Sequence, residues 1–180
     1  LIVIDADNVK FKTLFLPTVK KELEDQFIYN SVENTNSKLR SLGYEPKINP
    51  RFLNLFFLED KKRHRIIFED NVFKIGDMIL NLKEILSLLN NSPEKFSPNV
   101  LMRPLYQELL LPNLVYVGGP SELVYWSQLK KSFDQVGINY PILILRDHFN
   151  WMSVNSYKQW KNLGFTDNDL IINPDTLIKN

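Results

Sequence analysis

The 180-residue sequence contains no cysteine and only two histidines, His64 and His148. Without thiols it can form neither a disulfide nor a thiolate metal site, and two imidazoles are too few for a structural zinc site. No apolar run approaches the roughly 20 residues of a membrane helix, and no basic-then-apolar signal segment opens the chain. We therefore expect a cytoplasmic protein with no bound metal and no membrane partner.

The sequence also lacks an excess of charge of either sign. Its 22 basic and 21 acidic residues give a net charge of +1, so it has no basic surplus of the kind that nucleic-acid binding requires, and we expect no nucleic-acid partner. One cationic run, residues 61–65, is bracketed by acidic pairs. We interpret this run as a solvated hairpin turn, with a phosphate-binding patch as the alternative.

Several catalytic motifs are missing as well. The sequence has no Walker-type glycine loop, no G-x-G-x-x-G, no nucleophile elbow and no serine with a convincing histidine partner. Its 44% apolar content, with six glycines and ten prolines, is that of an ordinary folded domain. Because the chain opens without methionine in a strand-like run and closes in a polar tail, we expect a piece of a longer protein.

The first two segments of the chain differ in pattern. Residues 1–45 predict a strand over 1–4, a helix that follows the capping residues 5–8, and a second helix from Ser31 to Gly43. Pro17 is expected to kink the first helix or to mark its restart. Residues 46–95 predict a small antiparallel meander over 46–76 and then a helix over 82–89, which together form an insertion.

Residues 96–180 read as α/β. A helical stretch over 98–111 leads to a strand over 114–117, a helix ending near Val136 and a strand over 142–145. This order predicts a right-handed parallel crossover, and the uniformly apolar strands predict burial on both faces. A last helix is expected over 153–163, ended by Gly164. We therefore assign the chain to the α/β class, as part of a helix-covered parallel sheet with a small antiparallel insertion.

The turn after the predicted strand over 114–117 is a candidate site, because ligands bind at the carboxyl ends of parallel strands. Gly118 and Gly119 allow a close backbone approach, and the following helix start offers free N–H groups for an anion. The alternative is a tight strand-to-helix connection. Glu122 and Tyr125 lie at the open end of that helix and are also candidates, whereas Trp126 fits the core stripe better.

A second candidate site is the segment 96–108. Pro104 either kinks the predicted helix or begins a new one, in which case Arg103 lies beside a fresh helix N-terminus. Ser97 precedes the predicted helix start, and Asn99, Arg103 and Gln107 follow one another at i, i+4 spacing. The restarted helix would suit a carboxylate or a phosphate, and both geometries cluster polar groups. The alternative is a structural Arg103 paired with Glu108 or with a loop carbonyl.

Further polar residues follow predicted strands. Arg146 ends the last strand, and Asp5 and Asp7 end the first. If these strands share one sheet, their tips meet the Gly-Gly turn and Arg103. We interpret His148 as a surface or loop histidine.

Three stretches of the sequence, residues 96–108, 111–130 and 141–146, closely resemble the cysteine-adding enzymes of bacillithiol biosynthesis, the cysteine ligase family. Residues 4–8 (Ile-Asp-Ala-Asp-Asn) and 49–56 (Asn-Pro-Arg-Phe-Leu-Asn-Leu-Phe) also resemble that family. The resemblance covers nearly the whole chain and corresponds to the middle of the longer family sequence.

The resemblance implies a Rossmann-like core of the nucleotidyltransferase type and a C-terminal coiled coil that forms a homodimer. The implied activity joins the cysteine carboxyl group to the amine of glucosaminyl-malate, with ATP or ADP as a possible cosubstrate for activating the carboxyl group. Arg103 and the amides of Gly118 and Gly119 would stabilise developing charge. Arg103 or Arg146 would bind the malate carboxylates.

The same resemblance places the N-terminal nucleotide segment before residue 1 and the coiled coil beyond residue 180, so we expect this fragment to be inactive alone. Zinc-dependent thiol recognition finds no ligand set in the sequence. The alternative reading is a noncatalytic ligand-binding or scaffold module of a larger nucleotidyltransferase-like protein.

Overall fold

The computed structural model describes residues 3–149 and 151–172. The described residues fall into two compact units, one ending at Arg146 and one beginning at Asp147. Leu1, Ile2, Asn150 and the polar tail from residue 173 lie outside the described residues. Val3 and Ile4 are exposed and belong to no strand, so the predicted first strand is wrong for the part of it that the structure describes.

The first unit begins with two consecutive helices, α1 (Val9–Asp25) and α2 (Phe27–Ser41). Asn8 caps α1 by accepting from the Lys10 N–H, and α1 continues through Pro17. Gln26, with φ of 49°, joins the helices, so α2 begins four residues before the predicted Ser31. Gly43, with φ of 82°, follows the end of α2, which confirms the predicted left-handed glycine there.

The middle of the chain forms a five-stranded antiparallel sheet in the order β4-β3-β2-β1-β5. The strands are β1 (Leu55–Glu59), β2 (Lys62–Glu69), β3 (Val72–Ile75), β4 (Met78–Leu80) and β5 (Phe96–Pro98). Two-residue turns at 60–61 and 70–71, all at positive φ, connect β1 to β2 and β2 to β3. The predicted antiparallel meander is confirmed over 55–75, whereas residues 46–54 form no strand. Strands β4 and β5 were not foreseen, because runs of three residues carry little strand pattern.

A short helical segment separates β4 from β5. Helix α3 (Leu82–Asn91) starts with a capping box in which Asn81 and Glu84 bond each other's backbone N–H groups. A 3₁₀ turn (Pro93–Lys95) follows it. This segment confirms the predicted helix over 82–89 and returns the chain to the edge of β1.

Helix α4 (Arg103–Leu110) begins with Pro104 in its first turn, so of the two geometries considered for this segment the restarted helix is correct. The stretch 98–102 is not helical; it holds the last residue of β5 and a turn. Phe15 of α1 contacts Tyr106 of α4, with ring centroids 4.9 Å apart. This contact fixes α4 beside the N-terminal half of α1.

The α/β part contains β6 (Val115–Gly118), α5 (Pro120–Ser127), α6 (Lys130–Val136) and β7 (Ile142–Leu145). Strands β6 and β7 pair in parallel, which confirms the predicted parallel pairing, although the predicted single helix is divided near Gln128. Tyr116 and Leu143 pack on the core, whereas Val117 and Ile142 are 58% and 65% exposed. The expectation of strands buried on both faces is therefore wrong for the described residues, because their two-stranded sheet is covered on one side only.

One apolar core runs through the first unit from α1 and α2 to α5 and α6, with Trp126, Phe15, Phe27, Phe57 and Phe133 among its largest side chains. Buried polar bonds tie its parts together. Ser31 of α2 meets Ser132 of α6 with their hydroxyl oxygens 2.6 Å apart, and the Gln128 amide donates to the Ile48 carbonyl at 2.8 Å.

The second unit contains α7 (Val154–Asn162) and a 3₁₀ turn (Asn168–Ile171). Ser153 caps α7, and Gly164 at φ of 87° follows its end, which confirms the last predicted helix. Trp160 stacks on Phe165 with centroids 4.3 Å apart. His148 is exposed, as expected of a surface or loop residue.

Candidate functional site

A cleft of about 360 Å³ lies between the start of α1, the β1–β2 hairpin, β5 and the start of α4. We call it the Arg103 cleft. Its lining includes three cationic side chains, one carboxylate and one hydroxyl, those of Lys12, Arg63, Arg103, Asp7 and Ser97. Three of these residues, Ser97, Arg103 and Asp7, are candidates from the sequence, and the structure brings them together.

Arg103 is held at the mouth of this cleft by two neutral acceptors. Its guanidinium donates to Gln107 Oε1 at 2.9 Å, one turn along α4, and to the Tyr125 hydroxyl of α5 at 2.8 Å. Glu108 bonds Asn113 instead, so the predicted structural pairing of Arg103 with Glu108 is wrong. Within the described residues Arg103 has no ion pair, and its charge is free for an anionic ligand.

Lys12 was missed by the sequence reasoning. Its side chain is only 3% exposed; Nζ donates to the Phe96 carbonyl at 2.8 Å and lies 3.0 Å from Asp7 Oδ1. Position 12 continues the buried stripe of α1 that includes Phe15 and Val19. Lys12 could have been identified from the sequence as a lysine on an apolar helical stripe, because a buried lysine needs a polar partner.

Arg63 was foreseen only as part of the cationic run. The turn itself is formed by Asp60 and Lys61, whereas Arg63 lies in β2 and lines the Arg103 cleft. Its guanidinium donates to the Pro98 carbonyl at 2.8 Å and lies 4.0 Å from the centre of the Phe56 ring. Among the described residues it has no carboxylate partner. Of the run 61–65 only Lys61 lies in the turn, and residues 62–65 belong to β2, so the predicted solvated turn is wrong for most of the run. Arg63 fits the alternative of an anion-binding group.

The short loop at the start of α1 closes one side of the cleft. The Tyr106 hydroxyl donates to the Ala6 carbonyl at 2.8 Å, and Asp5 Oδ1 accepts from the Asp7 N–H at 3.0 Å. Burial, with smaller effects from Asp7 and Asp5, raises the pKa of Tyr106 to about 12. The Tyr106 hydroxyl therefore stays protonated and keeps Asp7 beside Lys12.

Glu122 lies on the far side of Tyr125 and closes the Gly-Gly turn. Its carboxylate accepts from the Gly119 N–H at 3.1 Å and from the Tyr116 hydroxyl at 3.2 Å. The Gly119 bond holds the pKa of Glu122 below its usual range; burial opposes this, while Tyr116 and the charges of Arg103 and Arg146 reinforce it. Glu122 is an ionised helix cap, and the Gly119 N–H already has its acceptor.

The two glycines of this turn are needed for different reasons. A Cβ on Gly118 would lie 2.7 Å from the Tyr116 ring, whereas a Cβ on Gly119 would lie 3.2 Å from the Arg146 guanidinium. Arg146 is exposed and rests against the turn, outside the lining of the Arg103 cleft. The close approach at Gly118 is thus to the protein's own aromatic ring, which agrees with the tight-connection alternative.

Two more of the sequence candidates are integral to the packing. Asn99 donates to Asn54 Oδ1 at 2.8 Å and accepts from the Leu101 N–H at 2.9 Å, which shapes the turn before α4. Trp126 is fully buried and stacks on Tyr116 with centroids 4.1 Å apart. Asn99 supports the position of Arg103 from below, and Trp126 belongs to the core, as its stripe suggested.

Beneath Asn99 lies a buried carboxylate. Glu22 is fully buried and accepts from the N–H groups of Ile28 and Asn54 and from the Asn54 side chain, each at 3.0 Å. Burial raises the pKa of Glu22 from 4.5 to about 7, against the effect of these bonds. Glu22 and Asn54 thus connect α1 to the residues before β1 and, through Asn99, to the turn before α4.

The described residues contain no group of three or more His, Asp or Glu side chains that could hold a metal ion. None of the helices in residues 3–149 and 151–172 is both long enough and apolar enough to cross a membrane.

The Arg103 cleft brings together several positive charges and one hydroxyl group. Such a site suits a small ligand with more than one carboxylate or phosphate group.

Comparison with known proteins identifies the family. Residues 1–147 match the family model described as bacillithiol biosynthesis BshC, N-terminal Rossmann-like domain. Proteins named "Putative cysteine ligase BshC" are 42% identical in Flavobacterium johnsoniae, over 99% of this chain and 34% of that protein, and 42% identical in Christiangramia forsetii, over 82% and 28%. In Bacillus anthracis a protein of the same name is 32% identical, over 81% and 28%. This chain spans about a third of the length of the curated relatives it matches, and it belongs to the BshC family of bacillithiol biosynthesis, whose N-terminal Rossmann-like domain it carries over residues 1–147.

Proposed function

We propose that the whole protein is a cysteine ligase of bacillithiol biosynthesis and that the Arg103 cleft binds the malate carboxylates of its glucosaminyl-malate substrate. The observation that carries the proposal is the convergence of Lys12, Arg63 and Arg103 on one cleft with a single carboxylate, Asp7. Malate brings two carboxylates, and a guanidinium binds a carboxylate through paired, charge-assisted hydrogen bonds.

In the proposed reaction the amine of glucosaminyl-malate attacks the activated carboxyl carbon of cysteine, loses a proton and forms the amide, while the activating group leaves as AMP or inorganic phosphate. A free carboxylate is a poor acyl donor, so it must first be activated, as an adenylate or an acyl phosphate. The Arg103 cleft would act at the other end of the acceptor, because anchoring the malate group fixes the position of the glucosamine amine. Arg103 would therefore be a binding residue for the acceptor substrate.

Arg103 suits this role because its supports leave its charge unsatisfied. Gln107 and Tyr125 accept from it without neutralising it. Asp7, in contrast, is paired with Lys12 at 3.0 Å, which reduces its repulsion of an incoming carboxylate. The cleft therefore keeps a net positive charge toward a ligand.

The nucleotidyltransferase type of the core, the ATP or ADP cosubstrate, the cytoplasmic location and the homodimer formed through a coiled coil are further parts of the proposal. The parallel β6–β7 pair with its helical crossover is compatible with such a core. The other three rest on the resemblance to the family. Arg146 and the amide of Gly118 remain proposed contacts for the second substrate or the cosubstrate, whereas the Gly119 N–H is already bonded to Glu122.

The test is calorimetric titration of the whole protein with glucosaminyl-malate, and with malate alone, for the unchanged protein and for Arg103→Ala. The loss of a charge-assisted bond is worth roughly 1.5–3 kcal/mol, so we expect binding to weaken about 10- to 100-fold. Arg65→Ala is the matched control, because Arg65 is an exposed arginine of the same β2 strand outside the cleft lining.

Equal affinity of the Arg103→Ala and Arg65→Ala proteins for both ligands would contradict the proposal. It would instead support a noncatalytic module in which residues 96–108 serve the packing of the protein. The buried Glu22–Asn54–Asn99 connection is the specific observation that favours this second candidate, because it bonds one residue of segment 96–108, Asn99, to the buried interior.

A further inference from the structure

A second cleft, of about 340 Å³, adjoins the Arg103 cleft on the other side of Arg63. We call it the Arg51 cleft. Its lining includes two guanidinium groups, one aromatic ring and an apolar wall, contributed by Arg51, Arg63, Phe56, Ile48, Val100 and Leu101. No acidic residue is among its described lining residues. The function proposed above makes no use of this cleft.

The two arginines of the Arg51 cleft share one aromatic ring. The guanidinium carbon of Arg63 lies 4.0 Å from the centre of the Phe56 ring, and that of Arg51 lies 5.9 Å from it. Among the described residues neither arginine has an ion-pair partner, so both positive charges remain available to an anion bound in the cleft. The face of the Phe56 ring helps to hold each guanidinium beside it.

Hydrogen bonds hold the backbone of Arg51 and the guanidinium of Arg63 in place. The backbone of Arg51 is bonded to the fully buried Asn54 side chain, at 3.3 Å through its N–H and at 2.8 Å through its carbonyl. Arg63 is held by the Pro98 carbonyl at 2.8 Å. Because the Arg63 guanidinium is anchored, it loses little conformational entropy when a ligand binds. The exposed Arg51 side chain is ordered by the ligand, from a fixed backbone position.

We propose that the Arg51 cleft is a second anion-binding site, which takes the phosphate group of an organic phosphate through Arg51 and Arg63. Planar guanidinium groups match phosphate oxygens through paired hydrogen bonds. The carbon part of the ligand lies against Val100, which is 44% exposed, and against Ile48. The site goes beyond the proposed function, because it stands whatever anion the Arg103 cleft binds.

Arg63 belongs to the lining of both clefts. A carboxylate in one cleft and a phosphate in the other would therefore bind side by side, each with its own second arginine. This arrangement makes two predictions that a single general anion site does not make. Arg51 matters for phosphate alone, and a dicarboxylate does not displace the phosphate.

The experiment is calorimetric titration of the whole protein with inorganic pyrophosphate, ADP and adenosine, with and without saturating malate. We expect pyrophosphate and ADP to bind, and Arg51→Ala to weaken both at least tenfold while malate affinity changes less than twofold. Lys62→Ala is the matched control for net charge, because Lys62 neighbours Arg63 but lines neither cleft; we expect it to change pyrophosphate affinity less than twofold.

ADP binding that is tighter than pyrophosphate binding, with the same dependence on Arg51, supports the site with a nucleotide as the phosphate source. Equal affinities would contradict the proposed contact of the carbon part with Val100 and Ile48, and with it the organic phosphate as occupant. Unchanged pyrophosphate affinity in Arg51→Ala, displacement of pyrophosphate by malate, or no binding of either phosphate at millimolar concentration would overturn the proposal. Malate binding by the Arg51→Ala protein distinguishes failure of the phosphate site from failure of the function proposed for the Arg103 cleft, because only the latter abolishes malate binding.

Discussion

The Arg103 guanidinium donates to the Tyr125 hydroxyl at 2.8 Å and so joins the start of α4 to α5. Tyr125 is 7% exposed, so its hydroxyl oxygen is a fixed point for a side chain that would otherwise be mobile. The bond orients the guanidinium and leaves its charge unneutralised. Through it, the motif at 96–108 and the Gly-Gly segment at 118–125 form one connected arrangement.

Tyr125→Phe tests this connection, because it removes the acceptor and keeps the ring. The loss of one hydrogen bond of about 1 kcal/mol predicts a rise in KM for glucosaminyl-malate of about 3- to 10-fold, with kcat little changed. Steady-state kinetics of the whole protein measure both values. Tyr157→Phe is the control, since it removes a hydrogen-bonded hydroxyl in the second unit. A fall in kcat with unchanged KM would show that Tyr125 does not act by orienting Arg103 for binding.

Lys12→Met should both destabilise the protein and weaken malate binding. The substitution leaves the Phe96 carbonyl and Asp7 without their partner, a cost of about 1–3 kcal/mol for an unsatisfied buried group. Chemical denaturation measures the stability, and calorimetry measures malate affinity, for which we expect at least a fivefold loss. Lys10→Met is the control, because Lys10 is an exposed lysine two residues away. Unchanged malate affinity in a folded Lys12→Met protein would remove Lys12 from the site.

Gly118→Ala and Gly119→Ala should differ sharply. The new Cβ at 118 meets the Tyr116 ring at 2.7 Å, and that ring is stacked on the buried Trp126. We expect a loss of about 2–3 kcal/mol, because overpacking forces rigid groups apart. The new Cβ at 119 meets only the end of the exposed Arg146 side chain, so we expect a loss below about 1 kcal/mol. Denaturation of the two variants side by side provides the measurement, and equal losses would contradict this account of the turn.

Glu22 predicts a pH-dependent stability. Since burial raises its pKa from 4.5 to about 7, the folded protein keeps a proton that the unfolded chain releases above pH 4.5. The stability contributed by this proton is fully present below pH 4.5, falls as the pH rises to 7 and is then lost, about 3 kcal/mol at most. Denaturation between pH 5 and 8 should show a steeper decline for the unchanged protein than for Glu22→Gln.

The control for this titration is Glu45→Gln, at an exposed carboxylate. We expect its decline with pH to be as steep as that of the unchanged protein. Parallel curves for all three proteins would show that Glu22 titrates at its ordinary pKa and that burial is offset by its hydrogen bonds.

Local sequence signals predicted much of the secondary structure. The glycines predicted to end helices at 43 and 164 lie at positive φ, and the hairpin turn predicted within 61–65 falls at 60–61. These signals are reliable because they depend on the backbone of a few neighbouring residues. The start of α2 and the strand β5 escaped, because their limits depend on packing with distant segments rather than on a local pattern.

The candidate site divides in the same way. Ser97, Arg103, Gln107 and Tyr125 could be named from strand ends, helix starts and the family motif, and the structure connects them. Asn99 and Trp126 carried the same kind of signal but are absorbed in packing. A motif marks positions under constraint, and only the contacts show whether the constraint comes from a ligand or from the core.

The sequence by itself determined the glycine ends of two helices, the cap of α1, most helices and the family. Only the tertiary structure decided that Lys12, Arg63 and Arg103 share a cleft. They come from α1, β2 and α4, and they meet because β5 pairs with β1 and Tyr106 packs on Phe15. Such contacts join residues that are tens of positions apart in the sequence. The positions of the three cationic side chains therefore depend on the packing of the whole core, and no local spacing in the sequence predicts them.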